Sequence, residues 1–356
     1  MLPVGAAIAS IVITSYQHGR FIRQAIDSAL AQTGPRVEVI VVDDGSTDES
    51  LHIIESYRDA VRALFREHRG QAQAMVDGWR VSTGDVVLFL DGDDLLYPDA
   101  LARMCPRFRP GVAKVQGRLD LIDDGDHRLG RQTPPMAMLS GDLAPVVLRH
   151  GWYPAPPTSG NAFARGTLDG LLPVPEEYAR LSKADGRLTV SDHYLSVLAA
   201  LEGEVVSLPE PVGAYRLHRA PRPWPADALV ADARRRIACT IALTGIVGRR
   251  ATERGLVASA ALALGTPSHV KERLVSRVVD PPGHPVASDT RRGLVRAGIA
   301  AAWRAPWSPL RMRVAQSLGF LALAALPRAA IASILPLLLI DHERPRWLSR
   351  LVGMEV

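Results

Sequence analysis

Apolar positions along the first ninety residues repeat with two periods in alternation. Ile8 to Thr14 is a β-branched run of strand length, and Phe21, Ile22, Ala25, Ile26, Ala29 and Leu30 then recur at the spacing of one helix face. Val37 to Val42 is a second apolar run, after which Ser46 and Glu49 have capping-box spacing for a helix through about Tyr57. Val61 to Phe65 predicts a third strand and Gly70 to Arg80 a helix or turn. Val86 to Leu90 is short and apolar throughout, as expected of a strand covered on both faces of a parallel sheet. Strands alternating with helices predict a doubly wound α/β sheet.

Beyond residue 105 the alternation weakens. One strand is expected over Val112 to Ile122, followed by a turn at Asp123 to Gly125, and then an irregular stretch marked by Pro134, Pro135, Pro145, Pro154, Pro156 and Pro157. Leu195 to Leu201 has helical character and Val205 to Leu208 strand character. Pro221 to Pro225 reads as a linker, and everything after it as helix. The expected organisation is a domain over residues 1–225 and a helical region over 226–356.

Charge sharpens that division. The chain has 356 residues and a net charge of +5. Residues 226–356 carry 19 Lys and Arg against 9 Asp and Glu, a net of +10, which leaves −5 for residues 1–225. An acidic front suits a site that binds metal through carboxylates, and a basic back suits an anionic surface. Cys105 and Cys239 stand far apart and form no CxxC, so neither a disulfide framework nor a zinc knuckle is expected. The start of the chain has no basic residue ahead of its apolar run, so no signal peptide is expected.

Candidate chemistry lies at strand ends. Asp91, Gly92, Asp93 and Asp94 directly follow the run Val86 to Leu90, where an open parallel sheet binds its ligands. Three neighbouring acids repel one another unless a cation sits among them, and Mg²⁺ or Mn²⁺ takes one or two carboxylates together with water and phosphate oxygens. A solvated turn capping a helix near Pro98 is the alternative. Asp43, Asp44, Gly45, Ser46, Thr47 and Asp48 form a second acidic cluster after another strand. An acid there can accept hydrogen bonds from a base or from ribose, or else only cap the next helix. The two clusters are expected to face one crevice.

With these residues in place, the chain resembles family 2 glycosyltransferases of the GT-A fold, of the type found in bacterial polysaccharide biosynthesis. The likeness runs through Ile13 to Tyr16, Val41 to Asp48, His68, Gly70, Gln71, Ala74, Gly78, Leu90 to Asp94, Thr158 to Phe163, Asp192 to Leu195 and Tyr215 to His218, in order over residues 8–220. The resemblance implies nucleotide-sugar contacts at Thr14, Tyr16, Asp43, Asp44, Gly70, Gln71, Asp91, Gly92 and Arg216. It also implies metal contacts at Asp91, Asp93 and His218, with Mn²⁺ or Mg²⁺ as cofactor. Asp192 then stands as catalytic base, and Ser159, Gly160 and Asn161 as an acceptor loop. The family commonly has Glu before the base and Asn at position 77, whereas this chain has Ser191 and Asp77. Independently, a one-step displacement at an anomeric carbon needs one base to deprotonate the attacking hydroxyl, and Asp192 otherwise reads as the N-cap of the stretch Tyr194 to Leu201. His218 otherwise reads as an ordinary surface or packing residue, and Thr158 to Asn161 as a plain turn.

Trp303, Arg304, Trp307, Arg311 and Arg313 precede Val314 to Ile340, whose one charge is Arg328. Trp and Arg beside an apolar stretch resemble an interfacial anchor. Pro327 and Arg328 divide the stretch into pieces too short to span a bilayer. Two helices lying in the interface, or a re-entrant pair, are expected, with a buried helical hairpin packed on the first domain as the alternative. Nucleic acid is not an expected partner, since no recognition motif accompanies the arginines. The reading is therefore a cytoplasmic inverting glycosyltransferase, peripheral at the inner face of the cell membrane. Its donor is a nucleotide diphosphate sugar and its acceptor a saccharide or lipid-linked saccharide. A sugar nucleotidyltransferase is the second enzyme reading, weakened because the loop Thr14 to Arg20 holds one glycine. A catalytically silent binding module is the third, and a nicotinamide dehydrogenase is disfavoured because no GxGxxG follows the first strand.

Overall fold

The computed structural model describes residues 8–182, 190–218, 225–260 and 262–339, and the side chains of all of these except 182 and 190–192. Pro221 to Trp224 and Ile340, named above in the linker and the apolar stretch, lie outside the described residues. The chain divides into two compact units. One is formed by residues 1–144 with 154–219, and the other by residues 145–153 with 220–356.

In the first unit β1 (Ile8–Ser15), α1 (Ile22–Leu30), β2 (Arg36–Asp43), α2 (Ser50–Glu55), β3 (Arg62–Phe65), α3 (Gln71–Val81) and β4 (Val86–Asp91) alternate as the periodicity predicts. They are followed by β5 (Leu95–Leu96), α4 (Ala100–Met104), β6 (Val112–Gln116), β7 (Leu119–Ile122) and β8 (Arg128–Thr133). Helix α5 (Ala144–His150) passes into the second unit. The chain returns through β9 (Asn161–Ala164), α6 (Arg165–Leu171), α7 (Glu176–Ser182), α8 (Val190–Glu202), β10 (Glu204–Ser207) and β11 (Gly213–Arg216). A seven-stranded sheet runs β10-β6-β9-β4-β1-β2-β3 and a four-stranded sheet β5-β11-β7-β8. The larger sheet is parallel except at β9, which pairs antiparallel with both β4 and β6. Ile11, Ile13, Leu88 and Leu90 of the central strands are fully buried against Ile22, Ala25, Ile26 and Ala29 of α1. This inward face explains the period of the α1 sequence.

Three expectations are corrected here. The strand expected over Val112 to Ile122 is two strands, β6 and β7, in different sheets. The break falls at Gly117, where a Cβ would lie 2.4 Å from Val212 and where the N–H donates to the Gly160 carbonyl. The capping box at Ser46 and Glu49 does not form, because α2 starts at Ser50 and Ser46 bonds Asp43 instead. Asn161, expected in a loop, opens the inner strand β9, whose short run Asn161 to Ala164 gave no periodicity long enough to read.

The second unit is helical, with α9 (Ala226–Glu253), α10 (Pro267–Val279), α11 (Arg291–Arg304), α12 (Leu310–Ala325), α13 (Arg328–Ser333) and α14 (Leu335–Leu339). Leu229, Val270, Leu274, Leu294, Phe320 and Leu335 share its core. Thr266 and Thr290 cap α10 and α11 by accepting the His269 and Gly293 amides. No described helix is long and apolar enough to cross a membrane.

Candidate functional site

Register brings the two acidic clusters to one rim of the first unit. β1 lies between β4 and β2, with Thr14 opposite Asp91 on one side and Ser15 opposite Asp43 on the other. Because the three strands are parallel, their carboxyl ends coincide, and loops far apart in the chain become neighbours. The Gly92 amide donates to the Thr14 carbonyl, and the Asp44 amide to the Ser15 carbonyl. Glycine is required at 92 by crowding. A Cβ there would sit 2.6 Å from His18 Nδ1 and 2.9 Å from the Thr14 carbonyl oxygen.

The cluster after β2 is mostly consumed in shaping its own loop. Asp43, fully buried, accepts the Ser46 amide at 2.8 Å and the Ser46 hydroxyl at 2.6 Å. Asp44 accepts the amides of Arg69 and Gly70 at 2.8 and 2.7 Å, and its Oδ2 lies 2.9 Å from His68 Nδ1. Its charge therefore sits just ahead of α3, where free amides and the helix dipole favour an anion. Tyr16, 39% exposed, stacks on His68 with ring centroids 4.1 Å apart. Gln71, in the first turn of α3, donates to Asp91 Oδ1 at 2.5 Å and to Thr14 Oγ1 at 3.4 Å.

Asp93 and His218 form the other end of the rim. His218 Nε2 is 2.7 Å from Asp93 Oδ2 and its Nδ1 is 2.7 Å from Asp124 Oδ1, so the ring is held between two carboxylates. The Asp93 bond raises the His218 pKa against the effect of burial, and Asp124 adds to the rise. Burial disfavours the Asp93 charge, but the His218 bond and the charges of His18 and His218 outweigh it and lower that pKa. Asp94 behaves oppositely. Burial and the neighbouring Asp93 charge push it well above the carboxylate range, although Ser159 Oγ donates to it at 2.6 Å and the Arg216 amide at 2.9 Å.

Several implied contacts are placed elsewhere than expected. Arg216, expected to reach a diphosphate, has a side chain with no exposed surface and is spent on protein partners. It donates to the Asp93 and Asp123 carbonyls and to Gln24 Oε1, and pairs with Asp126 at 2.7 Å. Its guanidinium also covers Phe21 at 4.5 Å. A buried arginine needs its donors satisfied, and the β7–β8 turn is close enough to satisfy them. Ser159 and Asn161 are buried: Ser159 bonds Asp94, and Asn161 donates to the carbonyls of Pro156, Pro157 and Thr158. Gly160 packs against Gly117, where a Cβ would approach the Gly117 carbonyl to 2.6 Å. Asp192 is in the first turn of α8, with its side chain outside the described residues. One turn later Ser196 accepts from the wholly buried Lys114 of β6 at 2.9 Å, which ties that end of α8 to the sheet.

The three-residue metal set also needs correction. Among the described residues no three His, Cys, Asp or Glu side chains are gathered to hold an ion. Asp91 turns to Gln71, leaving Asp93 and His218 as a pair. One carboxylate and one imidazole still fit a hard cation that takes its remaining ligands from a diphosphate and water. Among the buried side-chain atoms at this rim, Gln71 Oε1, His18 Nδ1 and Ser15 Oγ have no hydrogen-bond partner. Such atoms are costly unless a polar ligand meets them.

His18 and Asp124 were not singled out in the sequence. The signal for His18 was its position on the loop after β1. It lies 3.8 Å from Asp93 Oδ2. Asp124 had no such signal, because its role depends on β7 returning beside β11. Asp77, the departure from Asn, has a clear role. It pairs with Arg69 at 2.7 Å and Arg66 at 3.5 Å, and lies 3.8 Å from Arg80, gathering the charges along α3.

Known proteins resemble this chain in sequence and in fold. Residues 10–166 match the model of glycosyl transferase family 2, to which this segment is similar. An uncharacterized glycosyltransferase of Nostoc sp. is 36% identical over 218 residues, covering 59% of this chain and 65% of the relative. One of Rickettsia prowazekii is 40% identical over 94 residues, covering 26% of this chain and 30% of the relative. The chain thus spans less than two thirds of the length of these relatives. In fold, the chain is similar to TarS of S. aureus, with a TM-score of 0.50 at 15% identity over 97% of this chain and 91% of the TarS structure. The architecture is the GT-A type, a mixed α/β sheet with flanking helices, followed by a helical C-terminal region.

Proposed function

We propose that the protein is an inverting glycosyltransferase that moves a sugar from a nucleotide diphosphate donor to a hydroxyl acceptor. The observation that carries this reading is the meeting of Thr14, Asp43, Asp91 and Asp93 at adjacent carboxyl ends of β1, β2 and β4. Tyr16 and Asp44 would face the base, with Gly70 and Asp43 shaping that end through the loops they hold. Gln71, Asp91 and Gly92 would face the ribose and phosphates.

Asp93 and His218 would hold Mn²⁺ or Mg²⁺, which supplies Lewis-acid stabilisation of a departing diphosphate. The chain's own part is to take one proton. The acceptor oxygen bonds to the anomeric carbon as the bond from that carbon to the diphosphate oxygen breaks. Asp192 receives the hydroxyl proton. No second carboxylate is needed, because the nucleoside diphosphate leaves without protonation. Arg216 acts by holding the turn that carries Asp124 and, with it, the orientation of His218. Ser159 acts in the same way by supporting Asp94, so the acceptor would be recognised through other groups near α8.

The acceptor is proposed to be a lipid-linked or growing polysaccharide, reached at the inner face of a membrane by a protein lying peripherally on it. Support comes from the basic second unit and from family analogy. The test is a thermal-shift panel of UDP, GDP, TDP and CDP with Mn²⁺, followed by transfer and hydrolysis assays with sugar derivatives of the nucleotide that stabilises. A matching nucleotide raises the melting point by linkage. Absence of stabilisation by all four would overturn the donor assignment.

A further inference from the structure

Helix α12 has two faces in opposite surroundings. Met312, Phe320 and Leu323 are buried in the core of the second unit, and Phe320 lies so close to α11 that a Cβ on Gly298 would be 2.3 Å from its ring. On the other side Leu310, Val314, Leu318 and Leu321 are 65%, 42%, 61% and 52% exposed. Their spacing of four, four and three residues places them in one stripe. Trp303 borders it, 48% exposed, with Nε1 donating to Ser317 Oγ. Folding of the unit does not account for so continuous an apolar surface.

The charges on the segment that carries the stripe, residues 290–339, have one sign. Residues 290–340 contain seven arginines and no Asp or Glu. Arg291 and Arg313 are used within the fold, donating to the carbonyls at the ends of α12 and α11. Arg292, Arg296, Arg304, Arg311 and Arg328 are exposed. An apolar stripe on a segment whose described residues carry only cations is a poor surface for a second copy of itself, since an isologous contact would set arginine against arginine. It is complementary to an anionic bilayer surface, where apolar side chains enter the interface, arginines meet phosphate headgroups and a tryptophan sits at the boundary.

We infer that the outer face of α12, with Trp303 and the flanking arginines, docks in the plane of an anionic lipid surface. This deepens the membrane contact proposed above and does not depend on glycosyl transfer, because vesicle binding is read without donor or acceptor.

The experiment is flotation of the full chain with vesicles of phosphatidylcholine alone and of phosphatidylcholine mixed with phosphatidylglycerol. The native chain should float with the mixed vesicles and release in high salt. The pair Leu318→Glu and Leu321→Glu should weaken partition by about tenfold or more, and Arg311→Glu by a smaller factor. If the paired variant melts early, Leu310→Ser, at the most exposed position, takes its place. Three results overturn the inference: no flotation of the native chain, flotation of the folded paired variant equal to native, or a native dimer that the paired variant turns into a monomer without any vesicle binding.

Discussion

Ser159→Ala separates a supporting residue from a substrate contact. The hydroxyl donates to Asp94 Oδ2 at 2.6 Å, accepts the Asp91 amide at 3.2 Å and is fully buried. Its removal costs a hydrogen bond to a carboxyl, about 1.5–3 kcal/mol if ionised, and leaves a buried amide unmet at about 1–3 kcal/mol. The two losses do not add in full. Burial already pushes Asp94 toward its protonated form, in which it can be a donor itself. A total of about 2–4 kcal/mol follows, which lowers the melting temperature of a domain of this size by roughly 4–16 °C. Thermal unfolding is the assay, with acceptor KM measured beside it. A melting temperature unchanged within error, together with a raised acceptor KM, would refute the reasoning and return Ser159 to the acceptor site.

Asp192→Asn should lower transfer by about 10²–10⁴-fold while donor affinity stays within a few fold; a variant that still turns over at the native rate removes Asp192 as base. Asp93→Ala should abolish the Mn²⁺-dependent part of nucleoside diphosphate binding, and calorimetry giving the native chain equal affinity in chelator and in Mn²⁺ would remove the metal role. In the second unit, burial holds His284 below its ordinary value of 6.5, against the raising effect of Asp289. Its folded pKa is therefore below its unfolded one, so its contribution is present above pH 6.5 and is lost as pH falls through the folded value. His284→Gln should flatten the fall in melting temperature below that pH, and an unchanged slope would show that His284 does not set it.

The first unit was legible up to β4 because burial there is simple. Strands covered on both faces are apolar throughout, and α1 has one inward face, so Ile22, Ala25, Ile26 and Ala29 recur on schedule. Legibility fell after residue 105. Val112 to Ile122 is continuous in hydrophobicity, yet Gly117 lets the chain leave one sheet for another by close approach to Val212 and Gly160, neither of which is near in sequence. The candidate site followed the same rule. Residue types and positions after β2 and β4 marked Asp44, Asp91 and Asp93, but not which atoms were already spoken for. Arg216 is expected at the donor from the motif alone, whereas its partners, at 24, 93, 123 and 126, are brought to it by three different elements.

The sequence by itself determined the alternation of strands and helices, the acidic front and basic back, and the ordered motifs of the first unit. These follow from local spacing and composition, which do not depend on distant residues. Tertiary structure alone decided which polar groups remain available. Asp43, Asp94, Ser159 and Arg216 bond one another, their neighbours or the backbone, while Gln71 Oε1 and His18 Nδ1 stay unmet beside Asp91 and Asp93. It also decided that the apolar residues of α12 lie on two opposite faces, one in the core and one in solvent. The physical reason is the same in both cases: a hydrogen bond or a buried contact depends on separation in space, and the packing of distant segments sets that separation.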